Sequence, residues 1–155
     1  MSGVTPPRIG VFSHWPEGRQ ALRSVGDAAR ETRVSAALLE LVRLHCSVLN
    51  GCGYCIAMHE AYCRTLGVPE AQVAALRAGD LVGRFSEREF AALALAGEMT
   101  RMDDGAALAE AVTAAKAQFE GQELAVICFQ IAAINAWNRL AVADGLEEAH
   151  FAARD

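Results

Sequence analysis

Lysine is all but missing from this chain: Lys116 stands alone among 14 basic residues, and the rest are arginines spread without a stripe or block. With a net charge of −5 as well, nucleic acid is not an expected partner. Aromatic residues make up only 6% although hydrophobic residues reach 53%, so the apolar content is mostly Ala and Leu. That balance favours close-packed helices over sheets. Strand-like alternation and internal repeats are absent. No apolar run reads as long enough to span a membrane, and residues 1–19 hold no apolar core of signal-peptide length. The expectation is a soluble, cytoplasmic protein without a membrane partner. A chain of 155 residues can bury a real core, so it needs no disulfide or metal to fold and is read as one domain, 1–155.

Against these absences stand five cysteines, three of them in "NGCGYCIAMHEAYC", residues 50–63. An odd number of cysteines in a chain without an export signal weakens a structural disulfide framework. It raises the case for redox or metal chemistry.

Residues 1–15 read as a loose arm, because Pro6, Pro7 and Gly10 discourage regular structure. A short helix is expected from near Pro16 to before Glu31. The motif helix pair spans 35–66. Its first helix, about 35–49, carries Leu38, Leu41, Val42, His45 and Leu49 on one stripe, with Asn50-Gly51 as the stop. Its second begins at or just after Cys52. Gly67 then breaks the chain and Pro69 opens a helix that ends near Gly79. Ser86 and Glu89 form a capping box for a helix over 87–101, which Asp103-Asp104-Gly105 ends. Helices over about 106–119 and 122–142 follow. The fold class is all-α, with six or seven helices and the CxxC at the start of a core helix.

On a helix, Cys52, Cys55 and His59 fall on one face, three and four residues apart. The pair follows a glycine at a helix start, where free N–H groups and the macrodipole stabilise a thiolate. His59, one turn beyond Cys55, can accept its proton. A base needs an orienting partner, and Glu40, set among Leu38, Leu39 and Leu41, is the candidate. The competing reading is a zinc site. Structural zinc wants four ligands, usually in a small loop-rich module. Here no second CxxC appears, and Cys46, Cys63 and Cys128 are solitary, better read as small core residues. No metal and no cofactor are expected. His14, His45 and His150 read as surface or packing residues. Trp137 and Asn138 read as packing or interface residues, and Ser47, seven residues after Glu40, falls where it could face the relay.

The stretch "ELVRLHCSVLNGCGYCIAMHEAYCRTLGV" resembles the core of the alkylhydroperoxidase AhpD-like proteins of the carboxymuconolactone decarboxylase superfamily. The family pattern of Glu, eleven residues, then CxxCxxxH is met by Glu40, Cys52, Cys55 and His59. "FAALALAGEMTR" and "INAWNRLAVA" resemble the helices that follow. The best-studied members carry a histidine where this chain has Tyr54, and they are longer at the N-terminus. The resemblance implies a thiol-dependent peroxidase or disulfide oxidoreductase. Cys55 would be the peroxidatic cysteine and Cys52 the resolving one, with His59 and Glu40 as proton relay. It further implies a hydroperoxide substrate, a dithiol reductant of the lipoylated or thioredoxin-like kind, and a homo-oligomer, trimeric or hexameric. Cys52, at the helix edge and without an i+4 base, is expected to be the more solvent-accessible thiol. Two rival readings are a lactone enzyme of the carboxymuconolactone decarboxylase type, which does not depend on CxxC, and a non-enzymatic redox-responsive oligomer.

Overall fold

A computed structural model describes residues 3–154, and among these every regular element is an α-helix. The helices are α1 (Val11–His14), α2 (Pro16–Ala29), α3 (Ala36–Leu49), α4 (Gly53–Thr65) and α5 (Glu70–Ala78). They continue as α6 (Glu87–Arg101), α7 (Gly105–Gln118), α8 (Gly121–Ala143) and α9 (Glu148–Ala152). Helix α3 is the hub, packed against α4, α5, α6 and α8. Its Leu41, Val42 and Leu44 are fully buried, together with Leu93 and Leu95 of α6 and Ile127 and Ile131 of α8. These bulky side chains interleave with alanines such as Ala92, Ala96 and Ala115, which let helices approach closely.

The seven helices expected from sequence are all present. Local signals set their ends. Ser35 accepts from the Leu38 N–H to start α3. Ser86 and Glu89 form both halves of the capping box of α6. Asp104 accepts from Ala106 and Ala107 to start α7. Gly51, at φ +64°, allows the sharp reversal between α3 and α4, a left-handed conformation that costs a side-chain-bearing residue. Pro69 sits one position earlier than expected, as the N-cap of α5 rather than its first residue.

Two findings correct the sequence reading. The count rises to nine helices among the described residues because α1 and α9, of four and five residues, are too short to show periodicity. And residues 8–11 of the arm expected to be loose are tied down; the Met1 and Ser2 end of that arm lies outside the described residues. The Asp144 carboxylate, almost wholly buried, accepts the Ile9, Gly10 and Val11 N–H groups at 2.7, 2.7 and 3.2 Å. The Arg8 N–H donates to the Asp144 carbonyl. Burial works to raise the Asp144 pKa, but the three backbone donors outweigh it and hold the carboxyl low. Asp144→Ala leaves those donors without their acceptor. Limited proteolysis should then cut within residues 3–15 several-fold faster than in the unaltered protein, with the α3–α4 core still resistant.

Helix α8 also corrects the expectation that no run reaches membrane length. Its 23 residues are long and apolar enough to cross a bilayer. In this fold it packs on α2, α3, α4, α6 and α7, and its Gln130, Asn135 and Asn138 bond to neighbouring helices. It is a core helix here, and its apolar character serves interior packing.

Candidate active site

The α3–α4 hairpin brings Glu40 and His59 together across 19 residues of chain. His59 Nδ1 donates to Glu40 Oε2 at 2.7 Å, and both side chains are buried. A carboxylate can only accept, so this bond places the ring proton on Nδ1 and leaves Nε2 as the basic nitrogen. Nε2 is buried and has no hydrogen-bond partner among the described residues.

Glu40 has a second partner that the sequence reading missed. Arg43 Nη1 donates to Glu40 Oε1 at 2.5 Å, and Arg43 Nη2 donates to Gln130 Oε1 at 2.5 Å. Gln130 in turn donates to the Val25 carbonyl at 2.9 Å. One polar chain therefore runs from α2 through α8 and α3 to His59 on α4. Burial pushes the Glu40 pKa up, but the His59 hydrogen bond, followed by the charges of His59 and Arg43, more than reverses this. Glu40 stays ionised and fixes the His59 ring. The i,i+3 spacing of Glu40 and Arg43 was a legible signal; Gln130, 90 residues further on, gave none.

Cys52 and Cys55 are joined as a disulfide. Cys52 is the N-cap of α4, and its sulfur accepts the Cys55 N–H at 3.3 Å. Here the expectation about access is overturned. Cys52 is completely buried, packed with Ala141, Tyr54 and Leu146. Helix α9 closes over this end: Gly53 abuts the Glu148 backbone, Tyr54 packs edge-on against Phe151, and Arg154 donates to the Tyr54 hydroxyl. Cys55 is nearly as buried, at 2% exposure, but it is the one of the pair that borders open space. It lines a cavity of about 730 Å³ together with Glu40, Arg43 and His59, and Cys52 does not reach it. Ala141 and Leu146, which cover Cys52, lie far along the chain and left no local signal, so Cys52 read as the exposed edge.

The remaining cysteines are free, and their surroundings disfavour the thiolate. Burial pushes the Cys46 thiol up to about 11, and burial with the nearby Glu40 and Glu60 pushes Cys63 up to about 12. Burial raises Cys128 as well. Ser47 bonds to neither Glu40 nor His59: it donates to the Arg43 carbonyl and accepts from Asn138, a link between α3 and α8. Trp137 lines the cavity and stacks at a tilt on Phe12.

His45, read as a packing residue, is buried with Nδ1 unpartnered. Burial, reinforced by Arg101, lowers its pKa from 6.5 to about 4. The unfolded chain therefore takes up this proton at a higher pH than the folded one. His45 gives its full stability above about pH 6.5, and that contribution is lost as pH falls toward 4. Urea unfolding should show about 2 kcal/mol lost between pH 7 and 5 from this residue, and His45→Leu should flatten that slope. An unchanged slope would exclude His45 as its source.

The all-α scaffold, with a CxxC pair capping a core helix beside a buried carboxylate–histidine pair, defines a class of thiol–disulfide protein. Residues 16–98 match the model of the carboxymuconolactone decarboxylase family, and the chain belongs to that family. Among curated proteins it is 25% identical, over 89% of its length and 94% of the relative's, to the uncharacterized protein YdfG of Bacillus subtilis (strain 168). Its fold is AhpD-like. It superposes at a TM-score of 0.82, with 27% identity over 90% of this chain and 95% of the other, on a protein of unknown function from Agrobacterium tumefaciens. That protein is provisionally placed as the antioxidant defence protein AhpD. A peroxidase-related protein from Silicibacter sp. TM1040, at 22% identity and a TM-score of 0.74 over 96% of this chain and 80% of the other, shares the fold.

Proposed function

We propose that this protein is a thiol-dependent peroxidase that reduces organic hydroperoxides through Cys55, with Cys52 as resolving thiol. The observation that carries the reading is the Glu40–His59 hydrogen bond beside the cavity that Cys55 lines. In the reduced protein, His59 Nε2 takes the Cys55 proton. The thiolate attacks the terminal oxygen of the hydroperoxide; the S–O bond forms as the O–O bond breaks. The leaving alkoxide takes the proton from His59, giving an alcohol and a Cys55 sulfenic acid. The Cys52 thiol then displaces the hydroxyl as water and closes the disulfide.

The burial of Cys52 supports a definite order for reduction. An external dithiol attacks the sulfur of Cys55, the cysteine that lines the cavity, and Cys52 leaves as a thiolate. The α4 N-terminus, where the Cys55 N–H already points at the Cys52 sulfur, stabilises that leaving group. The second thiol of the reductant resolves the mixed disulfide. A lipoylated or thioredoxin-like dithiol fits this exchange, in a cytoplasmic setting.

The test is hydroperoxide consumption with dihydrolipoamide as reductant. Catalytic loss of an organic hydroperoxide, many equivalents per chain, is expected. Oxidation of a single equivalent, with no turnover at any dithiol concentration, would contradict an enzyme and favour a redox-responsive switch.

The working form we propose is a homo-oligomer. Phe129, Leu140 and Val142 of α8 are exposed on one chain. Light scattering should give a trimeric or hexameric multiple of 16.5 kDa; a monomer mass at micromolar concentration would refute it.

A further inference from the structure

The cavity that holds Cys55 has a charge opposite to that of the chain. Five arginines line it against two carboxylates, in a protein whose net charge is −5. Three of the five are engaged: Arg43 by Glu40 and Gln130, Arg30 by Asp27 at 3.9 Å, and Arg154 by Tyr54. The other two, Arg19 and Arg23, have no ion pair or hydrogen bond from their guanidiniums among the described residues. They stand four apart on α2, so both project from one face, and both line the cavity. The rest of the wall is largely apolar, with Phe12, Met58, Ile134 and Trp137. A volume of about 730 Å³ suits a chain-like organic ligand rather than hydrogen peroxide.

We propose that the preferred substrate is an amphipathic anion, a free fatty-acid hydroperoxide, whose carboxylate is held by Arg19 and Arg23. This rests on the peroxidase reading above and names its substrate class. The apolar chain lies along Phe12, Met58, Ile134 and Trp137, and the hydroperoxide group reaches Cys55. The carboxylate is a spectator in the reaction; the peroxide O–O bond is cleaved as already described. Two guanidiniums present a paired donor surface that a carboxylate matches and its methyl ester does not.

The experiment compares linoleate hydroperoxide with its methyl ester, in the unaltered protein and in the Arg19→Ala/Arg23→Ala double variant. The readout is the ratio of kcat/KM for acid over ester, measured within each protein, so that a general loss of activity cancels. The ratio should be about tenfold at low salt, fall with ionic strength, and drop to near one in the double variant. A ratio near one in the unaltered protein, or one that survives the double substitution, overturns the proposal. A second arm needs no turnover: linoleate and methyl linoleate are titrated into the oxidised protein by calorimetry. Tighter binding of the acid, lost in the double variant, supports the anion site even if no hydroperoxide is consumed and the peroxidase reading fails. Equal binding of acid and ester overturns it even if hydroperoxides are reduced.

Discussion

Cys55→Ser should abolish reaction with hydroperoxide altogether, whereas Cys52→Ser should still consume about one equivalent and stop at a trappable sulfenic acid. The asymmetry follows from position. Cys55 shares a helix face and a cavity with His59, and of the CxxC pair only Cys55 lines that cavity. Cys52 is sealed beneath Ala141, Tyr54 and Leu146. A nucleophile needs both a base and an approach path, and only Cys55 has them. In Cys52→Ser the oxidised sulfur has lost the partner it is bonded to here, and burial disfavours the thiolates of the free Cys46, Cys63 and Cys128. Dimedone labelling followed by peptide mapping reads the result. A sulfenic acid on Cys52 in the Cys55→Ser protein, with normal peroxide consumption, would show that the roles are reversed.

The second large effect concerns the relay. His59→Ala removes the proton acceptor and should slow the peroxide step by roughly a hundredfold to ten-thousandfold. Glu40→Gln keeps a partner for the His59 ring but removes the charge that the relay leans on, and should fall in the same range or just below it. Arg43→Met should cost less, about tenfold, because Glu40 keeps its bond to His59 while losing the cation that helps hold it ionised. Its signature is in the pH profile. With Arg43 gone the Glu40 carboxyl takes up its proton at a higher pH, so the acid limb of the rate shifts upward, which a purely structural defect would not produce. Stopped-flow loss of thiol after mixing reduced protein with hydroperoxide isolates this step. The disulfide should still form in all three variants.

The helix pair that builds this site was legible because its signals are local. Ser35, Gly51 and Cys52 mark its ends within one turn of chain, and the Cys52–Cys55–His59 face follows from helical spacing alone. Glu40 was legible as a carboxylate in an apolar run. What escaped was whatever depends on residues far apart in sequence. Gln130 joins the Glu40–Arg43 hydrogen-bonded chain from α8, and Asp144 organises an arm more than 130 residues away through three backbone bonds. Cys52 is buried against Ala141 of α8 and Leu146 just beyond it, and α9, a five-residue helix stabilised by its contacts with α4 rather than by its own periodicity, packs on the neighbouring Tyr54. These tertiary contacts corrected the expected access to the two sulfurs, and the corrected access now favours Cys55 as the point of attack in both halves of the cycle.

The most direct test of the central claim is a thiol count on the fully reduced protein before and after one equivalent of organic hydroperoxide, followed by mapping of the product. Five free thiols per chain should fall to three, with Cys52 and Cys55 recovered in one disulfide-linked peptide and Cys46, Cys63 and Cys128 unmodified. Five thiols remaining after the peroxide has had time to react, or a new disulfide that involves any of the other three, would contradict the account.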